Sequence, residues 1–225
     1  MFLTHDEALN LKKHIDNINM SNVNLIICPS FLNFDVFNNY EICAQDCFYE
    51  DKGAYTGEIS SYDLSLRGIK YSLVGHSERR KLDDNKIINL KIKALLRNSM
   101  TPILCIGETL TEKSLRKTSE VLKKQLTISL KNINIEDDQE IIIAYEPRWI
   151  IGTGKCLSKI EIEDSVIYIK KILSELKINR YKLLYGGSID SSNISKVLTT
   201  LVDGYLLGNA CVNENELKKI IECIK

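Results

Sequence analysis

Glu146 closes an apolar run, Ile141 to Tyr145, and is followed by Pro147. Its carboxylate therefore sits at the dry end of a strand, where loss of water raises basicity and suits a proton acceptor. A strand-end glutamate that pairs with a rim cation is the alternative. His76 follows Val74-Gly75 and precedes a segment expected to turn helical. A helix N-terminus disfavours imidazolium and leaves a neutral, hydrogen-bond-donating ring, though a packed structural histidine has the same surroundings. Leu184-Tyr185-Gly186-Gly187-Ser188 and Leu207-Gly208-Asn209 end two more apolar runs. Bared backbone N–H groups in such turns hold a phosphate without net positive charge, and the same glycines serve equally as tight strand-to-helix turns. Pro147 to Lys155 joins Trp149 to two glycines within nine residues, the make-up of a glycine-hinged lid or of a surface loop packed on its tryptophan. A base, a neutral electrophile, a phosphate cradle and a lid together suit proton transfer beside a carbonyl on a small phosphorylated substrate.

The elements that must position these groups alternate along the chain. Strands are expected at Leu25–Cys28, Ile42–Gln45, Tyr71–Gly75, Pro102–Ile106, Ile141–Tyr145, Lys182–Tyr185 and Asp203–Leu207. Their consecutive apolar residues mark parallel strands covered on both faces. Thr4/Glu7, Thr109/Glu112 and Ser158/Glu161 have capping-box spacing and start helices. Buried stripes recur at Ala8, Leu11, Ile15 and Ile18, at Ile162, Val166, Ile169, Leu173 and Leu176, and at Leu217, Ile220, Ile221 and Ile224. Weaker helical segments follow Pro29, run Tyr62–Leu66, Asp84–Ser99 and Ser191–Leu201, and bring the count to eight helices against seven strands. Parallel strands gather their carboxyl ends on one rim, where His76, Ser77, Glu78, Glu108, Glu146 and Ser188 converge. Gly152-Thr153-Gly154 is no dinucleotide fingerprint, because Leu157 stands where a third glycine belongs.

Composition excludes several classes. Thirty Lys and Arg balance thirty Asp and Glu, without a basic block, so nucleic-acid binding has no support. No apolar run approaches the ~18 residues of a membrane span, and Met1-Phe2-Leu3 leads straight into Thr4, His5, Asp6 and Glu7 instead of a secretory signal. A cytoplasmic protein is expected, folded as one domain over residues 1–225 without a Pro/Gly-rich linker. The seven cysteines lack paired CxxC spacing and read as reduced small hydrophobes; no metal site is expected. His5 and His14 lie on the first helix and are expected to face solvent.

Val74-Gly75-His76-Ser77-Glu78-Arg79-Arg80 and Ala144-Tyr145-Glu146-Pro147-Arg148-Trp149-Ile150-Ile151-Gly152-Thr153-Gly154-Lys155 are long and specific motifs. With Gly53-Ala54-Tyr55-Thr56-Gly57-Glu58-Ile59-Ser60, Cys105-Ile106-Gly107-Glu108 and Tyr185-Gly186-Gly187-Ser188, they make the whole chain resemble the triosephosphate isomerase family. The resemblance implies a (β/α)8 barrel and reversible interconversion of dihydroxyacetone phosphate and glyceraldehyde 3-phosphate, in glycolysis and gluconeogenesis. The family is itself a standard example of the acid/base division between a glutamate base and a neutral histidine, here Glu146 and His76. Glu78 is implied as a supporting rim carboxylate, and Gly152, Ser188, Gly208 and Asn209 as donors to the substrate phosphate. No metal or organic cofactor is implied. A homodimer is implied, through the Gly53–Ser60 loop.

Three departures accompany the likeness. Asn209 stands where the family usually has a second glycine, and Arg148 replaces a usual small apolar residue beside the lid hinge. The family's opening strand, ending Asn-x-Lys, has no counterpart before the first helix, and Lys12 and Lys13 lie within that helix. This accounts for eight helices against seven strands and leads to the expectation of an impaired isomerase, with a non-catalytic binding or dimerising barrel remnant as the alternative.

Overall fold

The computed structural model describes residues 2–224. Strands β1 (Ile26–Ile27), β2 (Glu41–Ala44), β3 (Tyr71–Val74), β4 (Thr101–Ile106), β5 (Ile141–Tyr145), β6 (Tyr181–Gly186) and β7 (Gly204–Leu206) form one sheet. They lie side by side in chain order, and every neighbouring pair is parallel. Each expected strand is present with its ends moved by no more than two residues. Both faces are buried, which is why the apolar runs are continuous. Cys43, Leu73, Ile103, Cys105, Ile142 and Ala144 meet on the inner face, joined by Ile26 of β1, Leu184 of β6 and Leu206 of β7. Their outward neighbours, such as Val74, Leu104, Ile106, Ile141 and Ile143, pack against the helices. Contact among residues of all seven strands curls the sheet into a (β/α)8 barrel that, among the described residues, lacks one strand. Among the described residues β1 and β7 do not pair, so the sheet keeps two edges.

Among the described residues there are eight α-helices, α1 (His5–Ile15), α2 (Ser61–Leu66), α3 (Asn85–Arg97), α4 (Leu110–Ser114), α5 (Thr118–Ser129), α6 (Lys159–Glu175), α7 (Ile194–Val197) and α8 (Glu214–Ile224). The three capping boxes start α1, α4 and α6, with both reciprocal hydrogen bonds present in each. The number agrees with expectation, but the membership differs. The segment after Pro29 forms two 3₁₀ turns, Phe31–Asn33 and Asp35–Phe37, whose three-residue repeat puts Phe31, Phe34 and Phe37 against the core. The helix starting at Thr109 breaks in two, because Arg116 adopts φ +57° between α4 and α5. The Ser191–Leu201 helix shrinks to α7. Leu198 is extended, and Thr199 donates from its N–H to Tyr205 Oη (3.2 Å) and from its hydroxyl to Glu163 (2.7 Å), drawing the chain off the helix.

Candidate active site

Glu146 is the first residue beyond β5, and its N–H donates to Ile106 O of β4 at 2.7 Å. Two glycines make its place. A Cβ on Gly107 would lie 1.8 Å from Glu146 O, and one on Gly186 would lie 2.8 Å from Glu146 Cγ, so only glycine fits at either neighbouring strand end without displacing the base. The side chain is buried, 6 % exposed, and its Oε2 has no hydrogen-bond partner among the described residues. Burial pushes this carboxyl above the ordinary range. The His76 ring, the Cys105 thiol and the Arg80 guanidinium oppose that rise, and Glu78 adds to it. Burial and the Glu146 carboxylate together hold the Cys105 thiol well above its usual value, so sulfur stays protonated there.

His76 stands in the turn after β3, with Nε2 3.7 Å from Glu146 Oε1. The Glu78 N–H points to His76 Nδ1 at 3.5 Å, so Nδ1 faces a donor and Nε2 is the ring nitrogen turned to Glu146. Glu78 itself is exposed, and its backbone, not its carboxylate, reaches the ring. Arg80 braces the turn from below, donating to Cys105 O at 2.7 Å and Asn85 Oδ1 at 2.8 Å; burial lowers its guanidinium to about 10.

Behind that turn lies a charge cluster. Lys91, on the buried face of α3 and 2 % exposed, donates to both oxygens of Asp46 (2.8 Å each) and to Asp83 Oδ2 (2.6 Å). Arg79 Nη2 joins Asp46 Oδ2 at 2.7 Å. Two acids and two bases thus tie the segment after His76 to α3 and to the end of β2. Sequence reasoning passed over Lys91, although a lysine among Ile88, Ile92 and Leu95 on one helical face was a legible signal.

The segment from Pro147 to Leu157 is fastened at three places. Trp149 Nε1 donates to Glu108 Oε1 at 2.9 Å; Glu108 is fully buried and also accepts from Tyr145 Oη at 3.3 Å. Ser188 Oγ accepts from the Thr153 N–H at 3.1 Å and donates to Ile150 O at 2.8 Å. Leu157 N–H donates to Tyr185 Oη at 3.0 Å. Gly152, at the exposed crest, lies beside the Ser188 contact. Gly186 and Leu206 are paired in the β6–β7 register, so Ser188 and Gly208 come abreast two residues further on, with Asn209 opening a 3₁₀ turn. Gly152, Gly208 and Asn209 are exposed, and their N–H groups make no hydrogen bond among the described residues.

The two remaining histidines are exposed, as expected, and each also meets a polar neighbour. His5 Nδ1 is 3.1 Å from Asn33 Oδ1, and His14 pairs with Glu214 across α1 and α8, because the first helix packs on both segments. Among the described residues no three His, Cys, Asp or Glu side chains are arranged to hold a metal ion.

A family model described as triosephosphate isomerase matches residues 1–224. The chain belongs to the triosephosphate isomerase family. It is 40 % identical over 208 residues to a triosephosphate isomerase of Mycoplasmoides gallisepticum, covering 87 % of this chain and 82 % of the relative. A triosephosphate isomerase of Thermodesulfovibrio yellowstonii is 36 % identical over 224 residues, 96 % of this chain and 90 % of its own. One from Thermoanaerobacter pseudethanolicus is 33 % identical over 235 aligned positions, 98 % and 95 % of the two chains. Family membership thus agrees with the barrel.

Proposed function

We propose that this chain interconverts dihydroxyacetone phosphate and glyceraldehyde 3-phosphate through an enediolate, with Glu146 and His76 as its working pair. The observation that carries the reading is their 3.7 Å approach beside a buried, unpartnered Glu146 oxygen. The basic carboxylate takes a proton from the carbon next to the carbonyl. The C–H electron pair becomes the C=C bond, and the carbonyl pair moves onto oxygen, where the His76 Nε2–H donates to the developing charge. His76 Nε2 gives its proton to that oxygen and takes the hydroxyl proton of the neighbouring carbon, whose oxygen pair forms the new C=O bond as the C=C pair accepts the proton returned by Glu146 at the former carbonyl carbon; the reverse direction uses the same groups. The scheme moves protons alone and calls on no metal or organic cofactor. Backbone N–H groups of Gly152, Ser188, Gly208 and Asn209 would receive the phosphate, with the lid excluding water. Glu78, a rim carboxylate, raises Glu146 basicity through like charge.

A homodimer through Gly53–Ser60 is supported by the loop's build. Phe48 N–H donates to Ile59 O at 2.7 Å and closes the loop at its base, while Tyr55, 44 % exposed, packs its ring at a tilt against Phe48 at 4.7 Å. Tyr55→Ser should shift light-scattering mass toward the monomer. Membership in a glycolytic family supports a cytoplasmic site of action.

The deciding experiment is a coupled isomerase assay in both directions, on wild type and on Glu146→Gln. A kcat lower by roughly 10²–10⁴ in that variant is expected. The unpaired β1 and β7 edges favour the second reading, a non-catalytic barrel, and equal background rates from both proteins would establish it.

A further inference from the structure

We infer that Gln125 is a positioning residue for both Glu146 and the lid, acting through the peptide groups on either side of Gly107. Gln125 is on α5 and 7 % exposed. Its Oε1 accepts from the Gly107 N–H at 2.9 Å, and its Nε2 donates to Gly107 O at 3.0 Å. The side-chain amide thus lies along Gly107 as a neighbouring strand would, just where β4 has ended.

Each peptide group it grips leads to the site. The first joins Ile106 to Gly107; Gln125 holds its N–H, and its carbonyl accepts the Glu146 N–H at 2.7 Å. The second joins Gly107 to Glu108; Gln125 holds its carbonyl, and its nitrogen belongs to Glu108. Glu108 in turn accepts from the Arg148 N–H through its own carbonyl (2.9 Å) and from Trp149 Nε1 through its carboxylate (2.9 Å). Three hydrogen bonds that place residues 146, 148 and 149 therefore start from a three-residue segment centred on a glycine. Gly107 has no side chain to resist rotation, and its Cα lies directly under Glu146 O. Without the amide, two buried backbone groups lose their partners and both peptide planes can turn, carrying the base and the lid anchor with them.

The kinetic arm of the test rests on the isomerase reading; the spectroscopic arm does not. Gln125→Met fills the space and removes both hydrogen bonds. It should lower kcat by at least about tenfold with KM held within about threefold, because bound substrate meets a displaced base. Trp149 is the only tryptophan, so the emission of the substrate-free variant should also change. Gln125→Glu supplies a conservative control: its protonated carboxyl accepts and donates as the amide does, whereas its carboxylate faces Gly107 O without a proton to give. Its kcat relative to wild type should fall as pH rises through that ionisation, while the Met variant's ratio stays flat. A Met variant that melts earlier but keeps wild-type kcat and Trp149 emission would overturn the inference, as would a Glu variant parallel to wild type at every pH. If wild type itself shows no turnover, the isomerase reading fails, and Trp149 emission still decides whether Gln125 holds the lid.

Discussion

His76 Nε2 and Glu146 Oε1 stand 3.7 Å apart, beyond a hydrogen bond yet near enough for one three-carbon molecule to touch both. They arrive from different strand ends, β3 and β5, with β4 between them. That intervening strand finishes on Gly107, and its missing side chain lets the Glu146 backbone settle close. The pair is held apart from behind as well, His76 by its own turn and Glu146 by the Ile106 carbonyl.

Glu146→Gln should cost roughly 10²–10⁴ in kcat while raising stability at neutral pH by about 0.5–2 kcal/mol. The sign follows from burial, which lifts the folded carboxyl above its unfolded value. The folded state then binds more protons, and the wild type loses stability as pH rises from the unfolded value through the folded one. Glutamine removes that loss. In wild type kcat/KM should fall on acidification at a pH above the ordinary carboxylate range. Thermal melts at several pH values, alongside rate profiles, check both; a variant less stable than wild type at neutral pH would contradict this account.

Lys91→Met should destabilise the protein by roughly 3–5 kcal/mol, since it leaves Asp83 and Asp46 buried with one cation fewer. Asp46 keeps Arg79 at 2.7 Å, so Asp83 suffers more. Adding Asp83→Asn to the first change should therefore recover part of the loss. Urea denaturation of both single variants and the double variant measures the coupling, and strict additivity would show that the cluster does not act as a unit.

Ser188→Ala should loosen the lid, because one hydroxyl supplies both its contact to Thr153 and its contact to Ile150. A fall in kcat/KM of roughly a hundredfold is the scale of a displaced closing element. Trypsin should also cut faster after Lys155, which lies in the exposed part of the same segment. Trp149→Phe leaves the fully buried Glu108 without its indole donor and should cost about 1–3 kcal/mol of stability. Unchanged cleavage at Lys155 in the serine variant would show that Ser188 does not fasten the lid.

Strand positions were legible because a parallel strand buried on both faces leaves an uninterrupted apolar run, and Ile141–Tyr145 is placed to the residue. The positions of His76, Glu146 and Ser188 were legible for a related reason, as polar residues within two positions of the ends of such runs. The break between α4 and α5 was not, since Leu115-Arg116-Lys117 contains neither glycine nor proline, and Arg116 turns left-handed without a residue that prefers it. Gln125 and Lys91 each stand on an apolar helix face, a signal that a buried polar partner exists without saying which one. Those partners, Gly107 and Asp46, lie 18 and 45 residues away on strand ends.

The two sheet edges supply the last prediction. β1 pairs with β2 at Ile26 and Ile27, and β7 pairs with β6 at three positions, so the weakest strands of the barrel are those with unpaired outer edges. The 225-residue chain should therefore exchange amide protons fastest in β1 and β7, slowest in β4 and β5, and associate as concentration rises. A version carrying an apolar strand that ends Asn-x-Lys before Phe2, as the family resemblance implies, should pair both edges and bring a cation to the anionic substrate. It should resist association, protect β1 and β7, and raise kcat/KM by roughly a hundredfold, the scale of restoring one preorganised donor. Hydrogen exchange separates the two effects, because a strand with Asn-x-Ala should protect the edges equally and leave the rate low. Equal protection of β1, β4 and β7 in the 225-residue chain would mean that the edges are already covered by something else, such as a second copy of the chain.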